Sequence, residues 1–278
     1  MERIGRNKSF DGWQERWRHD SQSNQCEMTF SIYLPPQARD GKVPLLLWLS
    51  GLTCTDENFV LKAGAQRYAA EHSIAVLCPD TSPRGEDVAD SEGWDMGQGA
   101  GFYVDATESP WSAHYNMYSY VTQELPNRVA EQFPLDMTRQ SICGHSMGGH
   151  GALICALKNP GRYRSVSAFS PICAPTQCEW GRKALTGYLG NDPSVWADWD
   201  ASKLVAKASE RLPLLIEQGE DDEFLAEQLL IDELQAACVA HDHSCTVNMR
   251  PGYDPSYFFI ASFIGDHMAW HAQALQPL

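Results

Sequence analysis

This sequence predicts an α/β fold, a mostly parallel sheet with helices on both faces, and three observations carry that reading. Short apolar runs recur along the chain, helical patterns separate them, and the residues with chemical potential fall directly after the runs. Strands that alternate with helices need crossover connections, which favour parallel pairing. In such sheets the functional loops gather at the carboxyl ends of the strands.

The elements follow in order. Residues 28–34 alternate in the manner of an exposed strand and stop at Pro35-Pro36. The run Leu45-Leu46-Leu47-Trp48-Leu49 is continuously apolar, as a strand covered on both faces should be. Similar runs lie at 74–78, 166–169, 212–216 and 245–249, and a shorter strand-like piece is Ser141-Ile142-Cys143. Helical periodicity marks residues 115–133, 148–157, 223–240 and 256–275. No internal repeat, low-complexity tract or linker interrupts the chain, so residues 1–278 are expected to form a single domain.

Composition narrows the function. Apolar residues make up 43% and charged residues 21%, an ordinary globular balance that excludes disorder. A net charge of −15, with basic residues scattered rather than striped, would repel a phosphate backbone, so nucleic acid is not an expected partner. The basic start at Arg3, Arg6 and Lys8 has no apolar stretch behind it, and no run of 18 apolar residues occurs. Neither export nor membrane spanning is expected. The nine cysteines are odd in number and several sit in apolar runs, which reads as free, buried thiols in a reducing cytoplasm. Without a C-x-x-C pair or an H-E-x-x-H, neither metal nor cofactor is expected.

The chemistry centres on Gly144-His145-Ser146-Met147-Gly148-Gly149, which follows a strand-like piece and opens a helical one. This is the G-x-S-x-G pattern of a nucleophile elbow, where a serine sits on a strained strand-to-helix turn and glycines two positions either side allow close approach. Ser146 would attack an ester or thioester carbonyl and become acylated. The resulting oxyanion needs fixed donors: the backbone N–H of Met147, and one from the Gly51-Leu52-Thr53 loop, taken as that of Leu52. Gly219-Glu220-Asp221-Asp222 follows the 212–216 run, so Asp221 or Asp222 can supply the acid that orients a histidine. Serine before acid is the chain order of α/β-hydrolases.

With those residues in place, the chain resembles the S-formylglutathione hydrolases, the esterase D family of the α/β-hydrolase superfamily. The resemblance is carried by Trp48-Leu49-Ser50-Gly51-Leu52-Thr53-Cys54, Lys62-Ala63-Gly64-Ala65-Gln66, Pro79-Asp80-Thr81-Ser82-Pro83-Arg84-Gly85 and Gly97-Gln98-Gly99-Ala100-Gly101-Phe102-Tyr103. The elbow block, extended through His150-Gly151-Ala152-Leu153, and Pro251-Gly252-Tyr253-Asp254 complete it. It implies hydrolysis of S-formylglutathione to glutathione and formate in formaldehyde detoxification, a homodimer, Ser146 as nucleophile and Asp222 rather than Asp221 as acid. It also places Cys54 at the mouth of the site.

The third triad member breaks the pattern. Family members read Asp-His-Ser after Pro-Gly-Tyr, and that histidine is the base; here the stretch is Asp254-Pro255-Ser256. Proline cannot accept a proton from serine, so strong impairment is expected. The fold is expected to tolerate it, with Asp254 as N-cap and Pro255 at the first helical position. Among the other histidines, His145 adjoins the nucleophile and is expected to point elsewhere, toward the substrate pocket, and His150 to pack. His267 and His271 lie too far along a helix, His241 and His243 belong on the opposite rim, and His19, His72 and His114 carry no motif. The aromatic residues Phe102, Tyr103 and Trp111 are candidates for the acyl-pocket wall. Two alternatives remain: a non-catalytic homologue with a glutathione-like ligand pocket, and a broad short-acyl carboxylesterase.

Overall fold

Nine strands, counted among the residues that the computed structural model describes, 1–277, make one sheet. They are β1 (Glu2–Ser9), β2 (Gly12–Asp20), β3 (Glu27–Leu34), β4 (Val43–Leu49), β5 (Ala75–Pro79), β6 (Leu135–His145), β7 (Val166–Phe169), β8 (Leu214–Gly219) and β9 (Cys245–Arg250). Their spatial order is β1-β2-β3-β5-β4-β6-β7-β8-β9. The pairs from β5 through β4 to β9 are parallel, and β1, β2 and β3 extend the sheet antiparallel.

Consecutive side chains of β4 serve opposite faces, as the two-residue period requires. Leu45, Leu47 and Leu49 join one core, with Ile142, Ala168 and Ile216. Leu46 and Trp48 join the other, with Cys143, Phe169 and the last helix, Tyr257–Ala274. Both clusters are closed by helices, which explains why this strand is apolar without interruption.

The chain departs from the sequence reading at its start. Strand β3 is interior, not exposed, because β2 covers one edge and β5 the other. Strands β1 and β2 gave no apolar alternation because the inward positions of β2 are Glu15, Trp17 and His19. Glu15 is made tolerable there by Trp17 Nε1 at 2.9 Å and by Arg3 and Arg6 at 3.3 and 3.0 Å. The hairpin turns on Phe10 and Asp11, both at positive φ, 44° and 58°; a phenylalanine there lacks the usual Asn-Gly signal.

The helical segment expected at 115–133 is broken into a short turn, a π turn and the helix Leu125–Gln132, with Pro126 in its first turn. That expected at 223–240 starts as a π turn, passes through Leu230 at φ 49°, and becomes a helix only at Ile231–Ala240. Helices Glu57–Lys62, Ala65–His72 and Glu179–Leu189 were not read, the first two being too short to show a periodicity.

The chain runs from β4 outward to β5 and returns to β6 on the other side of β4. The carboxyl ends of β4 and β6 therefore flank the topological switch, where a crevice opens. Trp48 anchors β4 there, its ring stacked on Phe59 with centroids 3.8 Å apart. Phe59→Ala is expected to lower the unfolding free energy by about 3–5 kcal/mol, read from urea denaturation, since Phe59 is buried in that core.

Candidate active site

Ser146 is held at φ 55° and ψ −119°, a conformation that side chains seldom adopt. The close approach of β6 and the following helix, Met147–Lys158, imposes it. A Cβ on Gly144 would lie 2.1 Å from the Gly148 carbonyl oxygen, and one on Gly148 would lie 2.0 Å from that of Leu49. Only hydrogen fits at either point. The turn is pinned by Ser146 N–H donating to Phe169 O at 2.9 Å and by Ile172 N–H donating to Ser146 O at 3.3 Å.

Across the switch, the loop after β4 is equally constrained. Ser50 Oγ accepts from Trp48 Nε1 at 3.0 Å, Ser50 O accepts from Tyr103 OH at 2.8 Å, and Thr53 N–H donates to Gly99 O at 2.9 Å. The Cys54 carbonyl is gripped by Thr81 Oγ and Arg84 Nη2, at 2.6 and 3.0 Å. Among the described residues, the N–H groups of Leu52 and Met147 donate to no protein acceptor. Two free amide donors on rigid backbone are what an oxyanion requires.

Ser146 opens into a cavity of 290 Å³. Its walls are the loop Gly51, Leu52, Thr53 and Cys54, the aromatic residues Trp94, Trp180 and Phe224, and His145 and Pro255. Trp111 is not in the wall: it packs edge-on against Tyr115 and Tyr188, with ring centroids at 5.1 and 5.4 Å. Phe102 and Tyr103 are likewise buried supports rather than lining, and His150 Nε2 donates to Phe102 O at 3.0 Å. The aromatic wall missed from sequence is Trp94, Trp180 and Phe224, which come from three separate segments and share no motif.

The structure separates the two aspartates. Asp221 is exposed, whereas Asp222 is buried. Asp222 Oδ1 accepts from Phe224 N–H at 2.9 Å, and Oδ2 from Gln218 Nε2 at 3.3 Å. Burial pushes the Asp222 carboxyl up, and those hydrogen bonds oppose the rise.

Pro255 lines the same cavity as Ser146 but sits ahead of the helix rather than at its first position. Ser256 is the N-cap, its Oγ accepting from Phe258 N–H at 3.3 Å, while Asp254 Oδ1 accepts from Ser256 N–H at 3.0 Å. The proline is accommodated by a turn before the cap, which corrects the expected placement of Asp254.

Of the nine histidines, His145 alone lines the cavity. Both its ring nitrogens are buried and bond to no protein group. Burial drives its pKa down to about 4, so the ring is neutral at pH 7. Six of the others are engaged elsewhere: His19 with Tyr120 OH at 3.0 Å, His114 with Asn24 O at 2.8 Å, His150 with Phe102 O, His243 with Leu212 O at 2.8 Å, and His267 and His271 in a buried chain of serines; His72 and His241 are exposed. The Cys54 thiol is pushed up by burial, opposed by Tyr257 and Lys62, and so stays protonated at neutral pH. All nine thiols are unpaired.

The Esterase family model matches residues 21–271. The chain is 55% identical to S-formylglutathione hydrolase of Mus musculus and 53% identical to that of Bos taurus, each over 278 residues and 99% of both chains. The chain belongs to the S-formylglutathione hydrolase family. A solved structure of the family member from Agrobacterium tumefaciens superimposes with a TM-score of 0.97 at 49% identity, covering 99% of this chain and 100% of that one. The fold is accordingly the α/β-hydrolase fold, and the chain is of the serine-hydrolase type.

His145 and His150 are both held near pKa 4, below the ordinary 6.5. The unfolded chain takes up these protons from about pH 6.5 downward and the folded chain only near 4, so stability is full above 6.5 and drains between the two. The melting temperature is expected to fall across that window, and His150→Gln to flatten the fall; a curve level from pH 7 to pH 4.5 would contradict the assignment.

Proposed function

We propose that this chain is a serine thioesterase and carboxylesterase whose substrate is S-formylglutathione, and that Pro255 leaves it strongly impaired. The observation that carries the reading is Ser146 on its strained turn, facing a cavity beside the free amides of Leu52 and Met147. Relatives named S-formylglutathione hydrolase supply the substrate class.

Ser146 Oγ bonds to the formyl carbon, and the carbonyl oxygen becomes an oxyanion that accepts hydrogen bonds from the N–H groups of Leu52 and Met147. The tetrahedral centre collapses with loss of the glutathione sulfur, leaving a formyl ester on Ser146. Water then attacks that ester, giving formate and the free serine. Each stage needs a group that takes a proton from the attacking oxygen and returns it to the departing sulfur or serine. A histidine ahead of Ser256, backed by Asp222, would do both; Pro255 does neither. Bulk water must then take the proton. In a subtilisin-type triad, losing the base costs about 10⁶ in turnover, leaving about 10³–10⁴ over water from oxyanion stabilisation and binding.

The test is Pro255→His, assayed on S-formylglutathione and on a short-acyl nitrophenyl ester. The unaltered chain is expected to turn over slowly, and the variant to gain on the order of 10³–10⁶ in kcat, abolished again by Ser146→Ala. Rapid turnover by the unaltered chain would sink the impairment reading. An inactive variant that still binds a non-hydrolysable glutathione thioether, measured by calorimetry, would instead favour the non-catalytic homologue.

A further inference from the structure

We propose that Glu217 is a positioning residue that fixes the loop carrying Asp222 to the loop carrying residue 255. The inference rests on position 255 being the seat of the base. Glu217 is a buried carboxylate on β8, paired with Phe169 of β7 and absent from the cavity wall, so the chemistry described above gives it no task.

Its side chain gathers three donors from two elements. Asn248 Nδ2 on β9 donates to Oε2 at 3.0 Å, Arg250 Nε at the end of β9 donates to Oε1, and His267 Nε2 on the last helix donates to Oε2 at 3.3 Å. The Arg250 guanidinium also lies over the Phe263 ring, 4.2 Å from its centroid. Beyond the strand ends, the two loops are stitched directly. Glu220 N–H donates to Arg250 O and Asp221 N–H to Tyr253 O, both at 3.0 Å. Gly219 faces the Tyr253 carbonyl so closely that a Cβ would stand 2.2 Å from it. The Glu217 backbone completes the connection: its carbonyl accepts from Ser170 N–H at 2.8 Å, and the same loop reaches the nucleophile through Ile172 N–H.

The hydrogen bonds behind Glu217 admit one direction. An ionised carboxylate only accepts, so His267 donates from Nε2 and must accept at Nδ1 from Ser167 Oγ, 2.9 Å away. Ser167, its one proton given to His267, then accepts from His271 Nε2 at 2.8 Å and from the Cys143 thiol at 3.1 Å, His271 Nδ1 accepts from Ser165 Oγ at 2.8 Å, and Ser165 accepts from Ser141 at 2.6 Å. Burial keeps both rings neutral, in agreement with one N–H each. Every link from β6 to the last helix is thus oriented by the charge at Glu217, next to the base loop.

Glu217→Gln removes that charge while keeping the shape. In the unaltered chain it is expected to raise amide hydrogen exchange at Glu220 and Asp221 by about tenfold or more relative to β4 amides. In the Pro255→His background it is expected to lower kcat by about a hundredfold with KM within about twofold, as misplacement of an acid–base pair would. Arg250→Gln, at a partly exposed position, is expected to give the same selective exchange if the first variant folds poorly. Unchanged exchange at Glu220 and Asp221, a rise spread evenly over all strands, or an undiminished kcat in an active Pro255→His chain would each overturn the proposal. An inactive Pro255→His chain would count against the base reading alone, because the exchange measurement decides the positioning role without turnover.

Discussion

The contact on which the rest of the site depends is the one between β4 and the start of the helix after Ser146. The Gly148 backbone comes so close to the Leu49 carbonyl that no side chain fits between them. That approach pulls the helix N-terminus against the sheet and leaves Ser146 in a conformation costing of order 1–3 kcal/mol. The cost is carried by both apolar cores, which close over the faces of the same strands. Because β4 and β6 are neighbours at the topological switch, one constraint places the serine, the free amide of Met147 and the loop of Leu52 together.

The opposite half of the site is assembled differently. The acid loop and the loop of residue 255 leave adjacent strands, β8 and β9, and are tied by backbone hydrogen bonds that do not depend on which side chain occupies position 255. Proline is therefore compatible with the architecture. It needs no hydrogen bond from its own nitrogen, and Ser256 and Asp254 supply the cap and turn around it. A change of side chain in the cavity wall can be structurally mild when the scaffold is held by main chain.

Burial sets the protonation of the site more than paired charge does. His145 and His150 are kept neutral because the hydration an imidazolium would lose outweighs what nearby groups return, Asp200 included in the case of His150. Glu217 goes the other way: burial would raise it, but donors from His267, Asn248 and Arg250 outweigh that effect and hold its carboxyl below the ordinary value. The net charge of −15 is compatible with this interior, since most of the acidic surplus remains at the surface.

The sequence by itself determined the α/β class, the continuously apolar strands such as β4, the elbow, the choice of loops and the presence of Pro255 ahead of the last helix. These were legible because each is a local pattern: apolar runs for buried strands, glycines where backbones touch, a proline that interrupts a block of motif residues. Only the tertiary structure decided the rest. The first hairpin was hidden because Glu15 faces inward with partners from another strand, and Phe10 turns it without the usual residues. Asp222 is distinguished from Asp221 by burial, and Trp111 yields its place in the cavity wall to Trp94, Trp180 and Phe224. Which side chains meet across a cavity depends on how distant segments pack, and no spacing along the chain encodes that distance.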